Sequence, residues 1–100
     1  MLFLTIIMES KVLCIFSFEG REPKEIAKIN RELFGYKDHS HHGKYTYQRK
    51  GLLSKFYIER IAKGALLTDE VNDKAVLYIL HRMGTKKIRR YYITIKKIIG

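Results

Sequence analysis

Three of the four histidines in this chain lie within four residues, in the stretch KDHSHHGKYTYQRKG at residues 37–51. Histidine titrates near neutral pH, so His39, His41 or His42 could exchange protons with a phosphate ester held by Lys44. These four residues are the candidate catalytic set of a small nuclease. General acid–base cleavage needs two such groups facing one phosphate, and spacing alone does not establish that geometry.

The same segment also has side chains that can ligate zinc or another divalent metal. The candidate ligands of such a site are Asp38, His39, His41 and His42. The H-x-H-H spacing within one loop matches no strong zinc pattern, and the lone cysteine, Cys14, lies in an apolar run where burial is expected. We therefore expect no bound metal and no cofactor, and favour a polar loop that meets phosphate.

Positive charge is concentrated in two segments of the chain. The formal net charge is +10, and residues 82–100 carry seven basic and no acidic residues. Protection of an edge strand against aggregation would explain one or two of these basic residues. A nucleic-acid surface explains more, because each neutralised phosphate releases condensed counterions. The predicted nucleic-acid-binding residues are Lys37, Lys44, Tyr45, Tyr47, Arg49, Lys50, Lys86, Lys87, Arg89, Arg90, Tyr92 and Lys96.

Tyrosines accompany the basic residues of both segments. Aromatic rings and arginine planes can stack unpaired bases, although tyrosine also packs well in strands. Tyr92 is the better stacking candidate of the final strand, because Tyr91 shares a face with Ile93 and Ile95. Neither predicted helix has the excess positive charge of a groove-entering helix, so RNA is favoured over DNA, which stays an alternative.

The elements that must position these residues follow from hydrophobic periodicity. The predicted strands and helices are strand 11–18, helix 22–35, strand 44–50, strand 57–68, helix 68–84 and strand 87–99. This βαββαβ order predicts an α+β, ferredoxin-like sandwich, with a four-stranded antiparallel sheet and two helices on one face. The RNA-recognition motif shares the order, but RIAKGALLT lacks that motif's aromatic residues on the third strand, so the chain is not assigned to it.

Length and composition predict a single domain over residues 1–100. Residues 1–7 would be an extension with no structural role if translation starts at Met8. This apolar run is too short to span a bilayer, and we expect no membrane partner. One cysteine fits a reducing cytosol and predicts a cytoplasmic location. A composition rich in Lys, Ile, Tyr and Glu with a single Gln is typical of thermophile proteins.

Three functions from different classes therefore stay open. The favoured one is a non-catalytic RNA-binding protein, including a ribonucleoprotein subunit, with RNA and a protein as its partners. The second is a small nuclease that uses the loop at residues 39–45, so enzymatic activity is an alternative but not the favoured prediction. The third is an interaction module whose uncovered sheet face forms a homodimer or binds another protein.

Overall fold

The computed structural model of the protein describes residues 3–40, 43–85 and 87–99. Within them the fold is mixed α+β, with a main sheet, two helices and a separate β-hairpin. The elements are β1 (Thr5–Ser17), α1 (Pro23–Phe34), β2 (Tyr36–Ser40), β3 (Tyr45–Arg49), a 3₁₀ turn (Leu52–Lys55), β4 (Ile58–Ala62), β5 (Ala65–Thr68), α2 (Asp73–Arg82) and β6 (Lys87–Ile99).

The main sheet is antiparallel and has the strand order β4-β5-β1-β6. A four-stranded antiparallel sheet with two helices is therefore confirmed. The predicted βαββαβ order is not matched, because the described chain has six strands. Residues 57–68 form two strands around a turn at Lys63 and Gly64, whose φ of 74° suits glycine. Residues 36–40, expected in a loop, form β2 and pair with β3.

The core lies between the main sheet and both helices. Alternate residues of β1, among them Cys14 and Phe16, face the helices because successive side chains of a strand point to opposite faces. Leu33 of α1 and Leu80 of α2 are fully buried against them. Leu53 of the 3₁₀ turn closes the same cluster. The two helices therefore cover one face of the main sheet.

The other sheet face carries no helix among the described residues. Leu13 and Ile15 of β1 lie on it beside Leu67 of β5 and Tyr91 of β6. Ile15 and Tyr91 are exposed apolar side chains. We call this surface the open sheet face.

β1 and β6 pair along all thirteen residues of each strand. On its other side, β1 pairs with β5 along residues 12–15. Residues 5–10 and 94–99 therefore form a two-stranded extension beyond the sheet, which we call the ribbon. Ile6, Met8 and Ile98 are exposed on it. Residues 5–7, which the sequence suggested as an extension with no structural role, belong to this paired ribbon.

Candidate nucleic-acid interface

The β2–β3 hairpin presents its tyrosines on a single face. Residues directly opposite in an antiparallel pair share a face, and Tyr36 lies opposite Arg49 while Asp38 lies opposite Tyr47. Tyr45 lies on the same side of the hairpin, two residues before Tyr47. As whole residues, Tyr36, Tyr45 and Tyr47 are 40%, 46% and 49% exposed. We call this side of the hairpin the tyrosine face.

A cation lies beside each of these three rings. The guanidinium of Arg31 is 5.3 Å from the ring centroid of Tyr36, and that of Arg49 is 5.6 Å from the ring of Tyr47. The ammonium of Lys44 is 5.6 Å from the ring of Tyr45. These distances are those of cation–π contacts, which place positive charge directly at aromatic surfaces.

Asp38 holds Arg49 in this position. Its Oδ2 accepts hydrogen bonds from Nε and Nη2 of Arg49 at 3.2 and 3.1 Å. Both side chains are partly exposed, so the pair contributes little to stability. Its effect is orientational, because the two bonds fix the guanidinium plane near Tyr47.

Two glycines fix where the hairpin leaves α1. Gly35 has a φ of 82°, and a Cβ there would lie 2.2 Å from the carbonyl oxygen of Arg49. A Cβ on Gly51 would lie 2.2 Å from the carbonyl oxygen of Leu33. The two ends of the hairpin therefore cross the end of α1 at backbone contact, which only glycine permits.

Beside this crossing lies a groove of about 590 Å³ between α1 and the hairpin. We call it the basic groove. Its lining residues are Lys28, Arg31, Glu32, Tyr36, Arg49, Lys50, Gly51 and Leu52. Four of these side chains are cationic and one is acidic, so the groove favours an anion. Tyr36 and Arg49 belong to both the groove and the tyrosine face, which makes the two surfaces continuous.

Lys28 and Arg31 were not among the residues predicted from the sequence. A charge count over residues 1–35 gives a net charge of zero and hides how the charges are arranged on the helix. Lys24, Lys28 and Arg31 are spaced by four and three residues, which places them on one helical face. That spacing was the signal in the sequence that could have identified them.

The opposite face of the hairpin is polar. It carries Lys37, His39, Thr46 and Gln48, and Nδ1 of His39 lies 3.2 Å from Oγ1 of Thr46. Asp38 and His39 are adjacent in β2 and so point to opposite faces.

His41 and His42 lie outside the described residues. Both belong to the predicted catalytic set and to the predicted metal ligands. Among the residues that are described, no group of three or more metal-ligating side chains is present. The nuclease remains a prediction.

The predicted residues of β6 are divided between two faces of the main sheet. Arg89 lies opposite Ile15 on the open sheet face. Lys87 lies opposite Ser17 on the same face, and its Nζ is 3.0 Å from Oε2 of Glu19. Arg90, Tyr92 and Lys96 alternate with them and lie on the helix side. Lys86 lies outside the described residues. None of the described residues of β6 lines the basic groove, so the two basic segments do not meet there.

Comparisons with protein-family models, with curated proteins and with solved structures found no match for this chain. Within residues 3–40, 43–85 and 87–99, no helix has the length and apolar character needed to cross a membrane.

Proposed function

We propose that this protein binds nucleic acid, RNA in preference to DNA, and does so without catalysis. The observation that carries the proposal is the continuity of three exposed tyrosines with a groove lined by four cations. Cations in a groove neutralise phosphates, while exposed rings offer surfaces on which bases stack. RNA displays unpaired bases in loops and ends, which suits such a surface.

The proposed architecture is a ferredoxin-like unit with an inserted hairpin. Without residues 36–55 the described elements run β1, α1, β4, β5, α2 and β6. The strand order β4-β5-β1-β6, with both helices on one face, supports this assignment. The insertion would place the RNA-binding surface beside the unit, at the end of α1.

The proposed setting is a ribonucleoprotein particle in the cytoplasm. The free, buried Cys14 suits a reducing compartment. The open sheet face and the ribbon offer apolar area to a protein partner in such a particle, while the basic groove contacts RNA.

The direct test is RNA binding by fluorescence anisotropy over a range of salt concentrations. Affinity should fall steeply with salt and should not change when a chelator is added. The double variant Arg31→Gln/Lys50→Gln should bind more weakly than Lys63→Gln/Lys74→Gln, which removes equal charge from exposed positions outside the groove and away from α1. Absence of binding at low salt, or equal loss in both double variants, would contradict the proposal.

A second function is supported by the exposed apolar surface. Ile6, Met8 and Ile98 are exposed on the ribbon, and Ile15 and Tyr91 on the open sheet face. Such exposed apolar surfaces are typical of an interaction module that associates with itself or with another protein. Sedimentation at high salt distinguishes this function, because apolar association persists when charge interactions are screened. A monomer at all salt and protein concentrations would exclude self-association.

A further inference from the structure

The spacing of the hairpin tyrosines points to the kind of RNA that would be bound. We infer that the tyrosine face stacks two or three consecutive unpaired bases, so that the preferred ligand is a single strand. This inference rests on the proposed RNA-binding function and adds the structural class of the RNA. It concerns Tyr36, Tyr45 and Tyr47, with the basic groove receiving the phosphates.

The spacing of the tyrosine positions along β3 does not match that of bases that remain stacked on one another. Tyr45 and Tyr47 are two residues apart on one strand, which separates their positions by about 7 Å. Successive bases in a duplex are about 3.4 Å apart along one strand. Bases lying on these two rings must therefore be spread apart, which a single strand allows and a duplex resists.

The surroundings of the rings suit spread bases. Each ring has a cation within 5.6 Å of its centroid, and the three tyrosine residues are 40–49% exposed, so a ligand in solution can reach all three. Arg49 is held at Tyr47 by Asp38, and a fixed guanidinium plane can itself cover a base. An ordered surface loses less entropy on binding than a mobile one would.

The continuity of the two surfaces gives the RNA backbone a path. Tyr36 and Arg49 line the basic groove, where Lys28 and Lys50 add further positive charge. A strand with bases on Tyr45 and Tyr47 can therefore lead its next phosphates into the groove. The opposite hairpin face has no tyrosine among its described residues, which restricts stacking to one side.

Binding should be measured with a 12-nucleotide single-stranded RNA and with the duplex of the same sequence. Wild-type protein should bind the single strand at least about 10-fold more tightly. Tyr45→Leu and Tyr47→Leu should each weaken single-strand binding about 10- to 100-fold, as expected for losing one stacked base, and leave duplex binding unchanged. Tyr78→Leu is the matched control, because Tyr78 also lies near an arginine, Arg82, but on α2.

Tyrosine fluorescence gives a second readout, because the chain has no tryptophan. Tyr45→Phe and Tyr47→Phe keep an aromatic ring, so they should retain affinity while losing part of the quenching that RNA causes in the wild type. Circular dichroism would verify that every variant is folded.

The outcomes separate this inference from the proposed function. Equal or tighter binding of the duplex, or unchanged single-strand affinity in both leucine variants, would overturn the inference and leave RNA binding standing. Absence of binding to either RNA would overturn both.

Discussion

Asp73 and Arg90 form an ion pair that joins the first turn of α2 to β6. The Asp73 side chain is 4% exposed and that of Arg90 is 30% exposed. Nη1 of Arg90 donates to Oδ2 of Asp73. The neighbouring Arg89 lies on the opposite face of the same strand. Arg89 and Arg90, which were both predicted from the sequence to bind nucleic acid, therefore have different environments.

Replacing Arg90 should reduce stability, whereas replacing Arg89 should not. Arg90→Ala leaves a buried carboxylate without its partner, and should lower the free energy of unfolding by about 1–3 kcal/mol. Arg89→Ala removes an exposed side chain and should change it by less than about 0.5 kcal/mol. Urea unfolding of both variants measures the difference. Equal midpoints would show that the Asp73–Arg90 pair contributes nothing.

The salt dependence of RNA binding should reflect how many cations of the basic groove contact phosphates. If its four cations each neutralise one phosphate of a single strand, log K should fall against log salt with a slope of about −3. Lys28→Gln removes one contact and should reduce the magnitude of that slope by about 0.7. Lys74→Gln, at an exposed position of α2 outside the groove lining, should leave it unchanged. Indistinguishable slopes for the two variants would show that Lys28 does not contact a phosphate in the basic groove.

The sequence predicted the sheet and both helices because their apolar residues recur at the periods of those elements. It missed β2 because YKDHS has neither apolar alternation nor β-branched residues. Among the described strands, β2 pairs with β3 and not with the main sheet. The turn that separates β4 from β5 was also missed. The sequence predicted one continuous strand over residues 57–68, because the positive φ of Gly64 is a property of the folded backbone.

The candidate site could be predicted only where its residues are local in sequence. Tyr45, Tyr47 and Arg49 alternate within one strand, so the sequence places them on one face. Lys28 reaches the groove only because Gly35 and Gly51 bring the hairpin back to the end of α1. Such a tertiary contact has no counterpart in a segment-by-segment count of charge.

The close approach at the hairpin base should make Gly51 intolerant of a side chain. The Cβ of Gly51→Ala would lie 2.2 Å from the carbonyl oxygen of Leu33 and 2.5 Å from the nitrogen of Gly35. Backbone must shift, so we expect a loss of at least about 2 kcal/mol in unfolding free energy. RNA affinity of the folded fraction should also fall, because the hairpin moves relative to Arg31.

Gly43→Ala is the comparison for that variant, since it tests a hairpin glycine that is not held at a close backbone approach by the described residues. Gly43 has a φ of 83°, and among the described residues nothing lies within 4 Å of an added Cβ, so backbone strain of about 1–2 kcal/mol should follow. Urea unfolding and RNA anisotropy should rank Gly51→Ala as the more damaging variant by both measures. The reverse order would show that the close backbone approach at Gly51 does not determine stability or RNA affinity.

Stability at high pH should depend on Cys14. The pKa of its thiol is raised from 9.0 to about 11, mainly by burial and also by the charge of Asp73, while Arg90 opposes the shift. The folded protein thus holds this proton more tightly than the unfolded chain. The resulting stabilisation is present below about pH 9 and is lost as the pH rises through 11.

Cys14→Ala isolates this contribution, because it removes the thiol and keeps every other titrating group. Among those groups is Lys11, whose pKa is also raised, first through its hydrogen bond to Asp69. The variant should be less stable at neutral pH because a buried side chain is shortened. Its unfolding free energy should fall less steeply than that of the wild type between pH 9 and 11. Parallel curves would mean that the folded core accommodates the thiolate as readily as the unfolded chain does.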